Sequence, residues 1–173
     1  LKSENNLNKA FVVGDITLDI FMKTTLKKPK FEDTNFLSED YFVATIHRQE
    51  NIYNKEKLEN IIKSLRSIER VIIPMHHSLE QQLNYFNLFN GLGDNIIKTD
   101  PLVYSEMLYL VKNSKGVVTD SGGLQKDAFW LEKPTITIRQ KTEWVETLKN
   151  EQNILIDEFP TNIYEKISNI NYV

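Results

Sequence analysis

The chain has 173 residues, 40% hydrophobic and 26% charged, with a formal net charge of −3 at pH 7. This composition is typical of a globular domain with an apolar core, and it favours neither nucleic acid nor an anionic membrane as a partner. The chain has no cysteine, which excludes disulfides and thiolate metal sites and fits a reducing cytoplasm, and it shows neither an apolar run of roughly 20 residues nor a secretory signal.

Short apolar runs alternate with amphipathic stretches along the chain. In chain order the predicted elements are a strand at 10–15, a helical turn at 17–22, a loop at 23–39, a strand at 41–46, a helix at 55–68, a strand at 71–75, a helix capped by Ser78 to about 86, a strand at 95–98, a helix at 103–113, a strand at 116–120, a helix to about 131, a strand at 135–138, a helix at 143–150, a strand at 153–156 and a helix at 160–167. The strands are continuously apolar, which indicates a parallel sheet with helices on both faces. We therefore predict a single three-layer α/β domain.

Most of the residues that could bind a ligand or take part in catalysis directly follow a predicted strand. They are Gly14-Asp15, His47-Arg48-Glu50, His76-His77, Pro101-Leu102, Ser121-Gly122-Gly123 and Arg139. The carboxyl ends of the strands form the ligand crevice in an open α/β sheet. The pattern therefore predicts one site along this edge.

The turn at Ser121, Gly122 and Gly123 stands between a buried strand and a helix. Free N–H groups at a helix start attract anions, and glycine lets a ligand approach the backbone closely. The alternative is an ordinary helix cap at Ser121. Because the other polar residues gather at the same edge, we favour a site for a phosphate-containing ligand.

Histidines follow two of the predicted strands. His47 could donate to a phosphate or move a proton, or it could belong to a capping cluster in which Arg48 and Glu50 pair with each other. His76 and His77 are adjacent, so their side chains point in opposite directions, and no third ligand stands at a recognisable spacing. We therefore expect no metal.

Several other positions leave two interpretations open. Asp127 could bind a ribose diol or complement the positive helix start. Lys126 either faces outward or neutralises a diphosphate, and Met107 on its own indicates core packing. Trp144 could pack on a base or sugar or cover the core. Arg139 could serve a phosphate or hold a nearby glutamate.

Taken together, the motifs resemble the non-hydrolysing UDP-N-acetylglucosamine 2-epimerase family from about residue 10 to 170. The segments that carry the resemblance are Val13-Gly14-Asp15 with Asp19, His47-Arg48-Gln49-Glu50-Asn51, Pro74 with His76, Asp100-Pro101-Leu102 with Tyr104, Thr119-Asp120-Ser121-Gly122-Gly123-Leu124-Gln125, Lys133-Pro134, Arg139 and Thr142-Glu143. All of them match the C-terminal domain of the family.

The resemblance implies a Rossmann-like domain, the C-terminal half of a glycosyltransferase-B-type two-domain fold, spanning residues 1–173. In that family the C-terminal half binds UDP, and the N-terminal half supplies carboxylates for the sugar. The implied reaction converts UDP-GlcNAc to UDP-ManNAc by elimination and re-addition of UDP, and it requires no cofactor or metal. The implied partners are UDP or a UDP-sugar, the N-terminal domain and, as in many relatives, a second copy of the enzyme.

The resemblance also implies roles for individual residues. His47 would contact the diphosphate and assist its departure, while Ser121, Gly122 and Gly123 would bind phosphate. Asp127 would bind ribose in place of a glutamate. The residues implied to line the uracil pocket are Leu102 and Met107.

Two positions depart from the family pattern. Lys126 occupies a usually acidic position, and Trp144 with Val145 replaces the Arg-Pro of many members, so the sugar could differ from GlcNAc. We expect the isolated domain to bind UDP weakly and to be inactive. A hydrolysing 2-epimerase and a non-catalytic sugar-nucleotide-binding module remain alternatives.

Overall fold

The computed structural model describes residues 11, 13–31, 35–157 and 166–167. Its centre is a six-stranded sheet in the order β3-β2-β1-β4-β5-β6, in which every neighbouring pair is parallel. The strands are β1 (Phe42–Thr45), β2 (Val71–Pro74), β3 (Ile96–Thr99), β4 (Gly116–Thr119), β5 (Thr135–Thr137) and β6 (Asn153–Leu155). This order is that of a doubly wound Rossmann-like sheet, which confirms the predicted fold class.

Helices connect the strands in the predicted alternation. They are α1 (Ile16–Lys23), α2 (Gln49–Ile52), α3 (Lys55–Leu65), α4 (His77–Tyr85), α5 (Tyr104–Lys112) and α6 (Gly122–Trp130), with 3-10 helices at Asn35–Ser38, Phe89–Gly91 and Val145–Glu151. Asn54 caps α3 by accepting a bond from the N–H of Lys57 at 3.0 Å. The apolar stripe of α3 is buried, as its helical spacing predicts.

The core has two parts because neighbouring strand residues point to opposite faces of the sheet. Ala44 and Val118 lie on the face covered by α3 and α4, whereas Val43 and Val117 lie on the face covered by α5 and α6. The domain therefore has the predicted three layers.

The strand predicted at 10–15 is wrong for its described residues, 11 and 13–15, which form no strand. Gly14 has a φ of +87°, and Asp15 caps α1 by accepting a bond from the N–H of Thr17 at 2.9 Å. This turn geometry ends any extended run, so Gly14 and Asp15 do not follow a strand.

Two other elements differ from the predictions, and a third is described only in part. His76, rather than Ser78, caps α4, since its Nδ1 accepts a bond from the N–H of Ser78. The helix predicted at 143–150 is the 3-10 helix Val145–Glu151. Of the helix predicted at 160–167, only residues 166 and 167 are described, and both are helical.

The chain reverses its direction of winding between β1 and β4, which are neighbours at the centre of the sheet. A crevice opens at such a switch point, outside the carboxyl ends of the two strands. The loops that follow these strands begin at Ile46 and Asp120. Within the described residues no helix is long and apolar enough to cross a membrane.

Candidate functional site

Asp120, the first residue after β4, joins the loops on the two sides of the switch point. Its side chain is fully buried, and its carboxylate accepts bonds from the N–H of His47 at 3.1 and 3.0 Å and of Arg48 at 2.9 Å. The amide of Asn51 donates to the same carboxylate at 3.0 Å. One buried carboxylate thus fixes the start of the loop that carries the His-Arg-x-Glu-Asn motif.

The imidazole of His47 is oriented by the same carboxylate. Nδ1 of His47 lies 3.0 Å from Oδ1 of Asp120, and the His47 side chain is 36% exposed. Burial alone would raise the pKa of Asp120, but bonds from the side chains of His47 and Asn51 and from the N–H of Arg48 outweigh it and lower that pKa. With Nδ1 engaged, Nε2 of His47 is the ring nitrogen left for a ligand.

Arg48 does not hold Glu50 in the capping cluster considered above. Its Nε instead donates to the backbone oxygen of Asp120 at 2.8 Å. His76, at the end of β2, places its ring centroid 5.3 Å from that of His47. The loops after three adjacent strands therefore meet around His47.

Ser121 caps α6 at the centre of this edge. Its Oγ accepts a bond from the N–H of Leu124 at 3.3 Å, which confirms the structural interpretation of the turn. The N–H groups of Gly122 and Gly123 still have no acceptor within the helix, because the first residues of an α-helix lack one. The cap and an anion site are therefore compatible in one turn.

The two glycines of the turn are in different surroundings. A Cβ added at Gly122 would lie 2.8 Å from Oε1 of Glu143 and 3.3 Å from Nε1 of Trp144, whereas at Gly123 the nearest atom would be Oγ of Ser121 at 3.9 Å. Gly122 is thus needed for close packing against the segment after β5. Gly123 leaves open space beside the backbone, where a ligand can approach.

Asp127 lines a cavity of about 280 Å³ beside the turn. The hydroxyl of Tyr104 donates to its Oδ1 at 2.7 Å. Burial raises the pKa of Asp127, and the bond from Tyr104 and the charge of Lys126 oppose that rise. The carboxylate is therefore held by one bond, which leaves Oδ2 as an acceptor for a ligand. The cavity is lined by Thr17, Ile20, Tyr104, Gly123, Lys126 and Asp127.

Lys126 does not face outward. Its side chain is 8% exposed, and its ammonium pairs with Oδ2 of Asp15 at 2.9 Å and donates to the hydroxyl of Thr17. The ammonium also lies 4.1 Å from the ring centroid of Trp144. The two departures from the family pattern are therefore in direct contact.

The segment after β5 packs against the start of α6. Arg139 pairs with Glu143 at 2.9 Å, which is the structural role considered for it. The hydroxyl of Thr142 donates to Gln125 Oε1 at 2.7 Å, and Trp144 is partly buried. These contacts place the side chain of Trp144 beside Gly122.

Leu102 and Met107 are not among the residues that line the cavity. Both are partly buried and pack against the core on the α5 and α6 face. Leu102 also borders a larger groove along β3, which includes Met75 and Phe89. Their implied role at the uracil stays a prediction.

Sequence reasoning gave no role to Asp120 and none to the hydroxyl of Tyr104. A usable signal for Asp120 was its place directly after a fully apolar strand, because a charged group there is buried and must be hydrogen-bonded. Tyr104 carried no comparable signal, since its partner Asp127 lies on another helix. Among the described residues, no group of three or more His, Asp or Glu side chains could hold a metal.

A helix start with free N–H groups at the switch point of a parallel sheet is the arrangement typical of nucleotide-binding α/β domains. A sequence model of the family described as UDP-N-acetylglucosamine 2-epimerase matches residues 1–172. The chain therefore belongs to the UDP-N-acetylglucosamine 2-epimerase family.

Similar proteins come from archaea and bacteria. A UDP-N-acetylglucosamine 2-epimerase homolog of Methanococcus maripaludis is 38% identical over 99% of this chain and 50% of its own length. A UDP-2,3-diacetamido-2,3-dideoxy-D-glucuronate 2-epimerase of Pseudomonas aeruginosa is 34% identical over 88% of this chain and 43% of its own length.

A solved structure is also similar. The UDP-GlcNAc 2-epimerase of Methanocaldococcus jannaschii, in complex with UDP-GlcNAc and UDP, is 34% identical with a TM-score of 0.79, covering 96% of this chain and 48% of that one. The chain thus spans about half the length of the relatives that it matches. Its fold is that of the C-terminal half of this two-domain architecture.

Proposed function

We propose that this chain is the UDP-binding domain of a UDP-GlcNAc 2-epimerase that forms UDP-ManNAc. The observation that carries the proposal is the Asp120 carboxylate, which holds the imidazole of His47 across the switch point from the turn at Ser121. Family membership and the solved relative with bound UDP-GlcNAc and UDP support it.

The diphosphate would lie between the turn and His47. The N–H groups of Gly122 and Gly123 and the hydroxyl of Ser121 would donate to its oxygens, at the positive end of α6. Nε2 of His47, when it carries a proton, would donate to the same group from the opposite side. Asp127 would accept from the ribose, and Leu102 and Met107 would contact the uracil.

This arrangement suits a reaction in which UDP is the leaving group. Removal of a proton from C2 and departure of UDP from C1 give a glycal, and re-addition with the proton delivered to the other face of C2 completes the inversion. Negative charge builds up on the departing diphosphate, so donors fixed before the reaction lower the barrier. The site also retains UDP between the two steps.

Calorimetric titration with UDP, UMP and UDP-GlcNAc tests the binding proposal. We expect UDP to bind more tightly than UMP, because the turn and His47 would contact a diphosphate more fully than a monophosphate. Ser121→Ala and His47→Ala should weaken UDP more than UMP. Absence of UDP binding, or equal losses for both nucleotides, would contradict the proposed position of the diphosphate.

The carboxylates that act on the sugar would come from an N-terminal domain of the same enzyme, so we expect the 173-residue chain alone not to epimerise UDP-GlcNAc. Turnover by this chain alone would contradict that expectation. We place the reaction in the cytoplasm, where UDP-ManNAc would serve polysaccharide biosynthesis.

One comparison favours a second candidate substrate. The Pseudomonas aeruginosa relative acts, by its name, on a diacetamido glucuronate rather than on GlcNAc. Product analysis on the two-domain enzyme, with both UDP-sugars as substrates, distinguishes the candidates. The same analysis separates epimerisation, which yields UDP-ManNAc, from hydrolysis, which yields ManNAc and UDP, and from binding without turnover.

A further inference from the structure

The position of the Lys126 ammonium is electrostatically unfavourable for a cation on α6. Lys126 is 6% exposed and stands in the second turn of α6, close to the positive end of the helix dipole. A buried cation at that end stabilises neither the helix nor the core unless other groups compensate it. Its position therefore depends on contacts from outside α6.

Those contacts come from two segments that are distant in sequence. Asp15 and Thr17 belong to the start of α1, and Asp15 Oδ2 lies 2.9 Å from the ammonium. Trp144, just before the 3-10 helix Val145–Glu151, presents its ring at 4.1 Å from the ammonium. A single side chain thus connects α1, α6 and the segment after β5.

Among the described residues, the helix α1 has few other contacts with the domain. None of its residues is buried, and its described ring contact joins Phe21 to Trp130 at 5.1 Å between centroids. Yet Thr17 and Ile20 of α1 line the 280 Å³ cavity that Asp127 also lines. Whatever holds α1 in place therefore also shapes that cavity.

The charge of Lys126 is already compensated. The bond from Lys126 is the largest contribution lowering the pKa of Asp15, to about 2, so Asp15 is an anion at neutral pH. The pair as a whole has no net charge to offer a diphosphate. This observation favours a structural role for Lys126 over a role as a phosphate-binding cation.

We propose that Lys126 is a positioning residue that holds α1 and the indole of Trp144 against α6, and so sets the cavity wall that Thr17 and Ile20 form, in the cavity that receives the ribose of UDP. The identity of the ligand rests on the proposed function. The tether, by which we mean the contacts of Lys126 with α1 and Trp144, does not. Removal of the ammonium should loosen both α1 and the indole of Trp144 and leave the phosphate turn at Ser121 intact.

The first experiment compares UDP with inorganic pyrophosphate, which lacks the nucleoside. In Lys126→Met, UDP should bind about tenfold more weakly, as expected for loss of a charged hydrogen bond, while pyrophosphate affinity should change by less than about twofold. Lys126→Arg should restore much of the loss, because a guanidinium can pair with Asp15 and stack on Trp144. Equal losses for UDP and pyrophosphate would overturn the proposal in favour of a phosphate-binding cation.

A matched control is available in Lys133. Its side chain is partly buried, and its ammonium donates to the backbone oxygen of Ser114 at 2.8 Å, beside the amino ends of β4 and β5. Lys133→Met removes a comparable bond without touching the cavity. We expect it to leave the affinities for UDP and pyrophosphate unchanged.

The second readout needs no ligand. The chain has two tryptophans, and the Lys126 ammonium lies 5.4 Å from the ring centroid of Trp130 and 4.1 Å from that of Trp144. Acrylamide should quench tryptophan fluorescence more strongly in Lys126→Met than in the wild type or in Lys133→Met. Unchanged quenching would overturn the tether.

These measurements separate the two proposals. If the wild type binds neither UDP nor pyrophosphate, the proposed function fails, and the quenching comparison still decides whether Lys126 holds α1 and the indole of Trp144 in place. If Lys126→Met does not fold, Asp15→Asn removes the carboxylate at the surface instead. Asp15→Asn should then show the same loss of UDP affinity relative to pyrophosphate and the same rise in quenching, and a wild-type result would overturn the proposal.

Discussion

His47 and Asp120 are joined twice, through the backbone N–H of His47 and through its Nδ1, which lies 3.0 Å from Oδ1 of Asp120. The two residues are 73 positions apart in the chain and belong to the loops after β1 and β4. This pair fixes the distance across the switch point, and with it the position of the imidazole relative to the turn at Ser121.

Replacement of the Asp120 carboxylate should destabilise the domain. Asp120→Asn puts an NH₂ group among donors that need an acceptor, and we expect the free energy of unfolding to fall by about 2–4 kcal/mol. Urea denaturation measures this loss. Asp40→Asn is the control, since Asp40 is 74% exposed and pairs with Lys115 at the surface. A loss as small as that of the control would contradict the role assigned to Asp120.

The lowered pKa of Asp120 predicts a pH dependence. A carboxylate whose folded pKa lies below its unfolded value of about 3.9 stabilises the protein above that pH, and the contribution disappears as the pH falls through the folded pKa. The stability difference between wild type and Asp120→Asn should therefore shrink on acidification below about pH 4. A difference that stays constant through that acidic range would contradict the lowered pKa, because a difference independent of pH means that folding leaves the pKa of Asp120 unchanged.

Asp127 should behave in the opposite way. Burial raises its folded pKa, so its contribution to stability is favourable below the unfolded value and is lost as the pH rises through the folded one. Asp127→Asn, which can still accept from Tyr104, should be more stable than the wild type at pH 7. Urea titrations should show this gain narrowing as the pH approaches about 4. A variant less stable than the wild type at neutral pH would contradict the sign.

The two glycines of the turn should respond differently to alanine. Gly123→Ala meets open space and should fold normally, whereas Gly122→Ala crowds Glu143 and Trp144 and should be about 1 kcal/mol less stable than Gly123→Ala. Gly123→Ala should weaken UDP binding more than Gly122→Ala does, because the new methyl group at Gly123 faces the cavity. Thermal unfolding and UDP titration on both variants check this; equal stabilities would contradict the packing role of Gly122.

The strands of the parallel sheet could be predicted from the sequence because buried parallel strands are continuous apolar runs, as in β1, β2 and β4. The sequence also located the cap at Ser121, since capping depends on neighbours within three residues. Both features are local, and local chemistry is what a single sequence displays directly.

The connections between distant segments could not be predicted in this way. A lysine within a helix is expected to lie at the surface. The burial of Lys126 depends on Asp15, which lies 111 positions earlier. The strand expected at 10–15 failed for a similar reason, because its described residues, 11 and 13–15, pair with none of the six strands of the sheet. Apolar character alone does not supply a partner for pairing.

The position of the diphosphate is the central claim, and amide NMR of the chain titrated with UDP tests it most directly. We predict that the N–H signals of Gly122 and Gly123 and the ring signals of His47 shift together and saturate at one UDP per chain, with smaller shifts for UMP. Shifts confined to other parts of the chain, or no shift in these three residues at saturating UDP, would contradict the account.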